Sequence, residues 1–225
     1  MSKKNMKVKC VLFDFDGTFA DTSVDMCNAL NTILEQKKFK TVNCQNLKTH
    51  ISKGAAGIIE YASTVNGRPI DSSLMRAEFL QEYSQKCFVH TTMIPGIDLI
   101  IKKMDEMSIK WGIVTNKHSK YVKKILQGLS LEDKIQCLVT GDMLKEPKPS
   151  PEGLKLAMDM LNVKSSNTIY VGDDLRDIQA GKNASTLTIA ANFGFVDLTE
   201  DINVWDANHI VNTPNELNNI LLKYL

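Results

Sequence analysis

The sequence carries no excess of charge of either sign. Lysine and arginine number 27 against 26 acids, a formal net charge of +1. A nucleic-acid surface needs a basic excess to neutralise phosphates, so that class of partner is excluded. Arginine is scarce: Arg68, Arg76 and Arg176 stand against 24 lysines, which reads as a bias of composition. Paired cysteines are also missing. Cys10, Cys27, Cys44, Cys87 and Cys137 are scattered and form no CxxC pair or Cys/His cluster, so neither a disulfide framework nor a zinc site is indicated. Reduced, packed thiols are the expectation. Long apolar runs are lacking too. After the basic stretch 1–9, the run Cys10-Val11-Leu12-Phe13 is cut by Asp14, too short for a signal peptide or a membrane span. Cytoplasmic residence without a membrane partner is therefore expected. There is no internal repeat and no low-complexity tract.

What is present is a chain able to bury a core: 43% of its residues are hydrophobic. Short apolar, β-branched runs at 8–13, 111–114, 137–140, 168–171, 187–191 and 209–211 read as strands. Helical stripes lie between the later ones: Ile97, Ile101, Met104 and Met107; Val122, Ile125, Leu126 and Leu129; Leu154, Ala157, Met158 and Leu161. Strands alternating with helices predict a parallel α/β sheet covered on both faces. One gap breaks the rhythm. Between Thr18 and Ile94 there is no convincing strand. The pattern there is helical, through Met26, Leu30, Ile33 and Leu34, then Met75, Phe79, Tyr83 and Cys87. So long a connection predicts a separate helical insertion. Placed directly after the first strand, it would lie over the C-terminal edge of the sheet, where such folds bind ligands.

Four groups of polar residues follow strand ends. Asp14-Phe15-Asp16-Gly17-Thr18 closes the first strand. Alternation along a strand projects Asp14 and Asp16 the same way, although beyond the strand end Asp16 is free to swing aside. Two acids so close need a cation between them or a proton on one. Thr115-Asn116-Lys117 offers a hydroxyl and an amide suited to phosphate oxygens. Lys148 sits among Pro147, Pro149 and Pro151, which restrict the backbone around it; Lys145 competes for the same role. Gly172-Asp173-Asp174-Leu175-Arg176-Asp177 gathers hard oxygen donors of the kind magnesium takes. Asp173 and Asp177, four apart, share a face of a helix starting there. Asp174 suits the helix N-terminus.

In combination these residues resemble the haloacid dehalogenase superfamily of phosphatases: DFDGT, the threonine of VTNK, the lysine of KPSP, and GDDLRD, across essentially the whole chain. The resemblance implies a Rossmann-like α/β core over 1–18 and 95–225 and an α-helical cap over 19–94. It implies Asp14 as a nucleophile forming an aspartyl-phosphate and Asp16 as acid and base. Thr115, Asn116 and Lys148 would bind the phosphoryl group. Asp14, the main-chain carbonyl of Asp16, and Asp173 would ligate Mg²⁺, with Asp177 orienting the site. Phe19 stands where the family usually has leucine. The cap loop 51–55 resembles that of phosphoglycolate phosphatases and makes Lys53 and Gly54 the candidates for specificity. Stretches 78–90, 111–117, 172–178 and 193–195 with Trp205 resemble the proteobacterial N-acetylmuramic acid 6-phosphate phosphatases. The expected activity is hydrolysis of a small, carboxylate-bearing phosphomonoester. A phosphosugar mutase, a phosphonatase using a cap lysine, a dehalogenase and a non-enzymatic phospho-aspartate receiver are the alternatives. Packing or solvation is expected for His50 and His118, and a surface position for Lys117 is as open as a role in the phosphate loop. Oligomeric state is not legible.

Overall fold

The computed structural model describes residues 7–197 and 199–224. Residues 1–6 and Leu225, included in the expected core segments, and Leu198 lie outside the described residues. In chain order the elements are β1 (Cys10–Phe13), β2 (Ala20–Asp21), α1 (Ser23–Gln36), α2 (Cys44–Leu47), α3 (Gly54–Asn66), α4 (Ser72–Lys86), β3 (Thr92–Met93), α5 (Ile97–Glu106), β4 (Lys110–Val114), α6 (Ser119–Gly128), β5 (Leu138–Val139), α7 (Glu152–Leu161), β6 (Thr168–Gly172), α8 (Leu175–Asn183), β7 (Leu187–Ala191), β8 (His209–Val211) and α9 (Pro214–Leu221).

Six strands form a parallel sheet in the order β5-β4-β1-β6-β7-β8. Every residue of β1 is buried, and its side chains alternate between two cores. Val11 and Phe13 join the larger cluster with α5, α6 and α9; Cys10 and Leu12 join a second cluster with α7 and α8. That is why the strand reads as an unbroken apolar run. The first strand is shorter than the 8–13 expected, and the third shrinks from 137–140 to Leu138–Val139. Met107 leaves its expected stripe: it follows the last residue of α5 and is exposed. Trp205 packs with Ile178, Ala190 and Ile202.

The segment after β1 is helical, with α1 packed on α4 and α3 on α4. Two features were not foreseen. First, β2 and β3 pair antiparallel at the two ends of the segment, Ala20 opposite Met93 and Asp21 opposite Thr92. Two-residue strands are too short for alternation to reveal. Second, Cys27 and Cys44 form a disulfide, which corrects the expectation of reduced thiols throughout. Packing of α2 on α1 brings their Cα atoms to 5.4 Å, within bonding range. Cys10, Cys87 and Cys137 are free and buried. Phe19 packs within the core, 6.1 Å between ring centroids from both Phe15 and Trp111, so its departure from leucine is absorbed by aromatic packing. No helix among the described residues is long and apolar enough to cross a membrane.

Candidate active site

β1, β4 and β6 lie side by side and end at the same edge, so the loops that follow them converge. Asp14 follows β1 directly. Lys148 reaches it from the loop before α7: its Nζ lies 2.6 Å from Asp14 Oδ1, 2.6 Å from Asp177 Oδ1 and 3.1 Å from Tyr170 Oη. The single Tyr170 hydroxyl proton has two acceptors in reach, Asp177 Oδ1 and the Val114 carbonyl, both at 3.0 Å. Asn116 clasps the backbone of Lys148, accepting from its N–H at 2.9 Å and donating to its carbonyl at 3.4 Å. The amide predicted to touch phosphate thus holds the lysine loop in place.

Asp173 ends at the turn into α8. It accepts from Thr18 Oγ1 at 2.9 Å and from the Phe195 N–H at 2.7 Å. Asp174 caps α8, and Asp177 Oδ2 accepts from the Asp174 N–H at 3.1 Å, completing a capping box. Gly17 makes this close approach possible. Its φ is +86°, and a Cβ there would collide with the Asp173 carboxylate.

The electrostatics follow from burial. Desolvation, then the neighbouring Asp177 charge, pushes the Asp14 carboxyl up to about 7 despite Lys148. Asp173 is raised well above the usual carboxylate range by burial and by Asp14. Burial alone would lower the Lys148 ammonium; Asp14 and Asp177 outweigh it and hold the group above the ordinary lysine range. Asp14, Asp173 and Asp177 can each offer an oxygen within 4.8 Å of the others. Three buried acids with one lysine among them leave negative charge uncompensated, which is the donor set a hard divalent cation fits.

Asp16 turns away from this cluster. Its carboxylate takes Lys117 Nζ at 2.8 and 3.1 Å and the Thr22 hydroxyl at 2.6 Å. Lys117 is buried and its ammonium lies 4.8 Å from the Tyr83 ring centroid. The surface position left open for Lys117 does not hold; its ammonium is spent on Asp16. Tyr170, Thr22 and Tyr83 were not foreseen, because nothing in their local spacing marks them. The buried Thr115 accepts from the Lys117 N–H at 3.2 Å. The exposed His118 caps α6, and His50 stacks on Tyr61, 4.3 Å between ring centroids.

A cavity of about 310 Å³ lies over these groups. Asp14, Asp16, Thr115 and Lys148 form its floor residues, and α4 supplies one wall. Gly54 lines it, whereas Lys53 lines a separate, smaller cavity beside Asp197 and Trp205.

Residues 11–191 match the haloacid dehalogenase-like hydrolases, and the chain belongs to that family. It is 32% identical to the N-acetylmuramic acid 6-phosphate phosphatase of Pseudomonas putida, over 96% of this chain and 97% of that one. It is 31% identical to a phosphoglycolate phosphatase of Xanthomonas campestris pv. campestris, over 93% and 94% of the two chains. The crystal structure of a predicted phosphoglycolate phosphatase from Haemophilus somnus superposes with a TM-score of 0.84, covering 98% of this chain and 99% of that one. At 19% identity that likeness concerns the fold alone.

Proposed function

We propose that this protein is a Mg²⁺-dependent phosphomonoester hydrolase acting on a small, carboxylate-bearing phosphate, such as N-acetylmuramic acid 6-phosphate or 2-phosphoglycolate. The observation that carries the reading is the cluster of Asp14, Lys148 and Asp177 lining one cavity, with Asp173 within reach of the same acids and a second acid, Asp16, on that cavity's wall. The names of the two curated relatives support the substrate class.

Asp14 is the nucleophile. Its carboxylate oxygen attacks phosphorus, the ester P–O bond breaks, and the leaving alkoxide takes a proton from Asp16. Water then attacks the aspartyl-phosphate while Asp16 accepts its proton, which releases inorganic phosphate and restores Asp14. Asp16 turns from Lys117 toward Asp14 to do this. Lys148 and Thr115 bind the phosphoryl oxygens, and Asn116 holds Lys148 where it is needed. Asp14, Asp173 and the Asp16 carbonyl would hold Mg²⁺, with Asp177 beside them. The ion supplies positive charge that lets two anions, carboxylate and phosphate, approach each other. Residues 1–18 and 95–225 act as the core and 19–94 as the cap, in a cytoplasmic enzyme without nucleic-acid or membrane partners.

The test is phosphate release from a panel containing both named substrates, with and without EDTA and in Asp14→Asn. Turnover is expected to fall by about three orders of magnitude or more in either case, as losing a nucleophile or its charge partner does. Multiple turnovers releasing free phosphate also separate this reading from a mutase or a receiver. Undiminished release in EDTA or in Asp14→Asn would overturn it.

A further inference from the structure

The chain has only three arginines, and two are occupied. Arg68 lies over the Phe39 ring, 4.2 Å from its centroid. Arg176 forks onto Asp174, Nε to Oδ1 at 2.7 Å and Nη2 to Oδ2 at 2.9 Å, and also reaches the Ser52 carbonyl. Arg76 is different. It has no ion pair or hydrogen bond among the described residues, and it lines the cavity over Asp14.

Its neighbours on α4 make that position directional. Arg76, Phe79, Leu80 and Tyr83 fall at helical spacing on one face, and all four line the same cavity. Tyr83 is 1% exposed, and its hydroxyl has no hydrogen-bond partner. A buried, unpaired hydroxyl is costly unless something meets it. The wall therefore joins a free guanidinium, an apolar middle and an unmet hydroxyl donor. Other cations serve this wall less well. Lys120 lies over the Tyr121 ring at 4.8 Å, Lys117 is spent on Asp16, and Lys53 lines the other cavity.

We propose that Arg76 is the specificity-determining receptor for the carboxylate of the substrate, which it grips through its planar two-pronged guanidinium while the phosphate lies at Asp14. This rests on the phosphatase reading and refines it. Guanidinium matches carboxylate with two parallel hydrogen bonds, which an ammonium cannot do. The apolar side chains of Phe79, Leu80, Met26 and Ile51 in the same cavity suit a substrate with methyl groups between its two anionic ends. N-acetylmuramic acid 6-phosphate has them; 2-phosphoglycolate does not.

The experiment compares kcat/KM for N-acetylmuramic acid 6-phosphate with that for N-acetylglucosamine 6-phosphate, which lacks the carboxylate-bearing ether. Both are measured in the wild type, in Arg76→Ala and in Arg76→Lys, with Mg²⁺ present. The wild type is expected to prefer the carboxylate-bearing sugar. In Arg76→Ala that preference falls by about 10- to 100-fold, the range for losing a hydrogen bond to a charged group, chiefly through KM. Arg76→Lys restores part of it, because charge returns without the fork. Arg76 is exposed and unpaired, so melting curves of the variants are expected to overlay the wild type. A preference that survives in Arg76→Ala overturns the proposal, as does a wild type that treats both sugars alike. A wild type that releases phosphate from neither sugar nor from 2-phosphoglycolate overturns the phosphatase reading itself, and the arginine subsite with it.

Discussion

Asp14 titrates at about 7 in the folded chain against an ordinary 3.8, because burial disfavours its charge. Between those values the folded state keeps the proton and the unfolded state does not. The metal-free protein therefore loses stability as pH rises from about 4 to 7 and regains it as pH falls. Urea unfolding in EDTA at pH 5 and pH 7 measures the difference. Asp14→Asn removes this ionisation, so it is expected to reduce that slope, leaving the part Asp173 contributes, and to raise the melting temperature at pH 7 while abolishing turnover. Lys148 predicts the opposite. It lies at 2.6 Å from each of two buried carboxylates, so Lys148→Met leaves them unpaired. A loss of about 3–5 kcal/mol is expected, together with loss of activity. Tyr170→Phe is milder. It removes one hydroxyl from Lys148, Asp177 and Val114, for about 1–3 kcal/mol in urea melts.

At the scale of elements, the helical segment is tied down at its base by one acid. Asp25, buried on α1, accepts from the N–H groups of Val89, His90 and Thr91 and from the Thr91 hydroxyl, all at 2.8–3.0 Å. These residues lead into β3. Asp25→Ala strands the three N–H donors, while the Thr91 hydroxyl keeps the Cys87 carbonyl at 3.2 Å; it is expected to cost about 2–4 kcal/mol, read by denaturant unfolding. The Cys27–Cys44 link predicts three titratable thiols, not five, in the denatured, unreduced protein. Much of this scale was legible from the residues. Apolar runs at 187–191 and 209–211 mark β7 and β8, and acids after β1 and β6 mark where the strands end. The rest was not, for a shared reason. Lys117 meets Asp16 across 101 positions, Lys148 meets Tyr170 across 22, and Cys27 meets Cys44 only because α2 folds onto α1. Periodicity reports the face a residue occupies, not which distant residue will share it. Arg76 was hidden likewise, since its meaning depends on what α4 covers.

For the whole molecule, one apolar cluster runs from Leu30 and Leu34 of α1 and Phe79 of α4 through Phe19 to Trp111 and Val171 of the sheet. The helical segment and the sheet thus share a core. A single cooperative transition is expected, with calorimetric and van't Hoff enthalpies equal; two separate transitions would show that the helices unfold alone. The same sheet order bears on how the protein is made. β1, among the earliest strands to be synthesised, is central, and its two neighbours, β4 and β6, arrive about 100 and 158 positions later. Asp14 meets Lys148 across 134 positions, and Thr18 meets Asp173 across 155. During synthesis, at roughly 5–20 residues per second, the first strand waits many seconds for the strands that will flank it. A nascent chain halted before β6 would display its reactive carboxylate without the acids that complete the cluster. Asp14 gains its full set of partners only once translation has passed Asp177, so the order of synthesis itself delays assembly of the cluster.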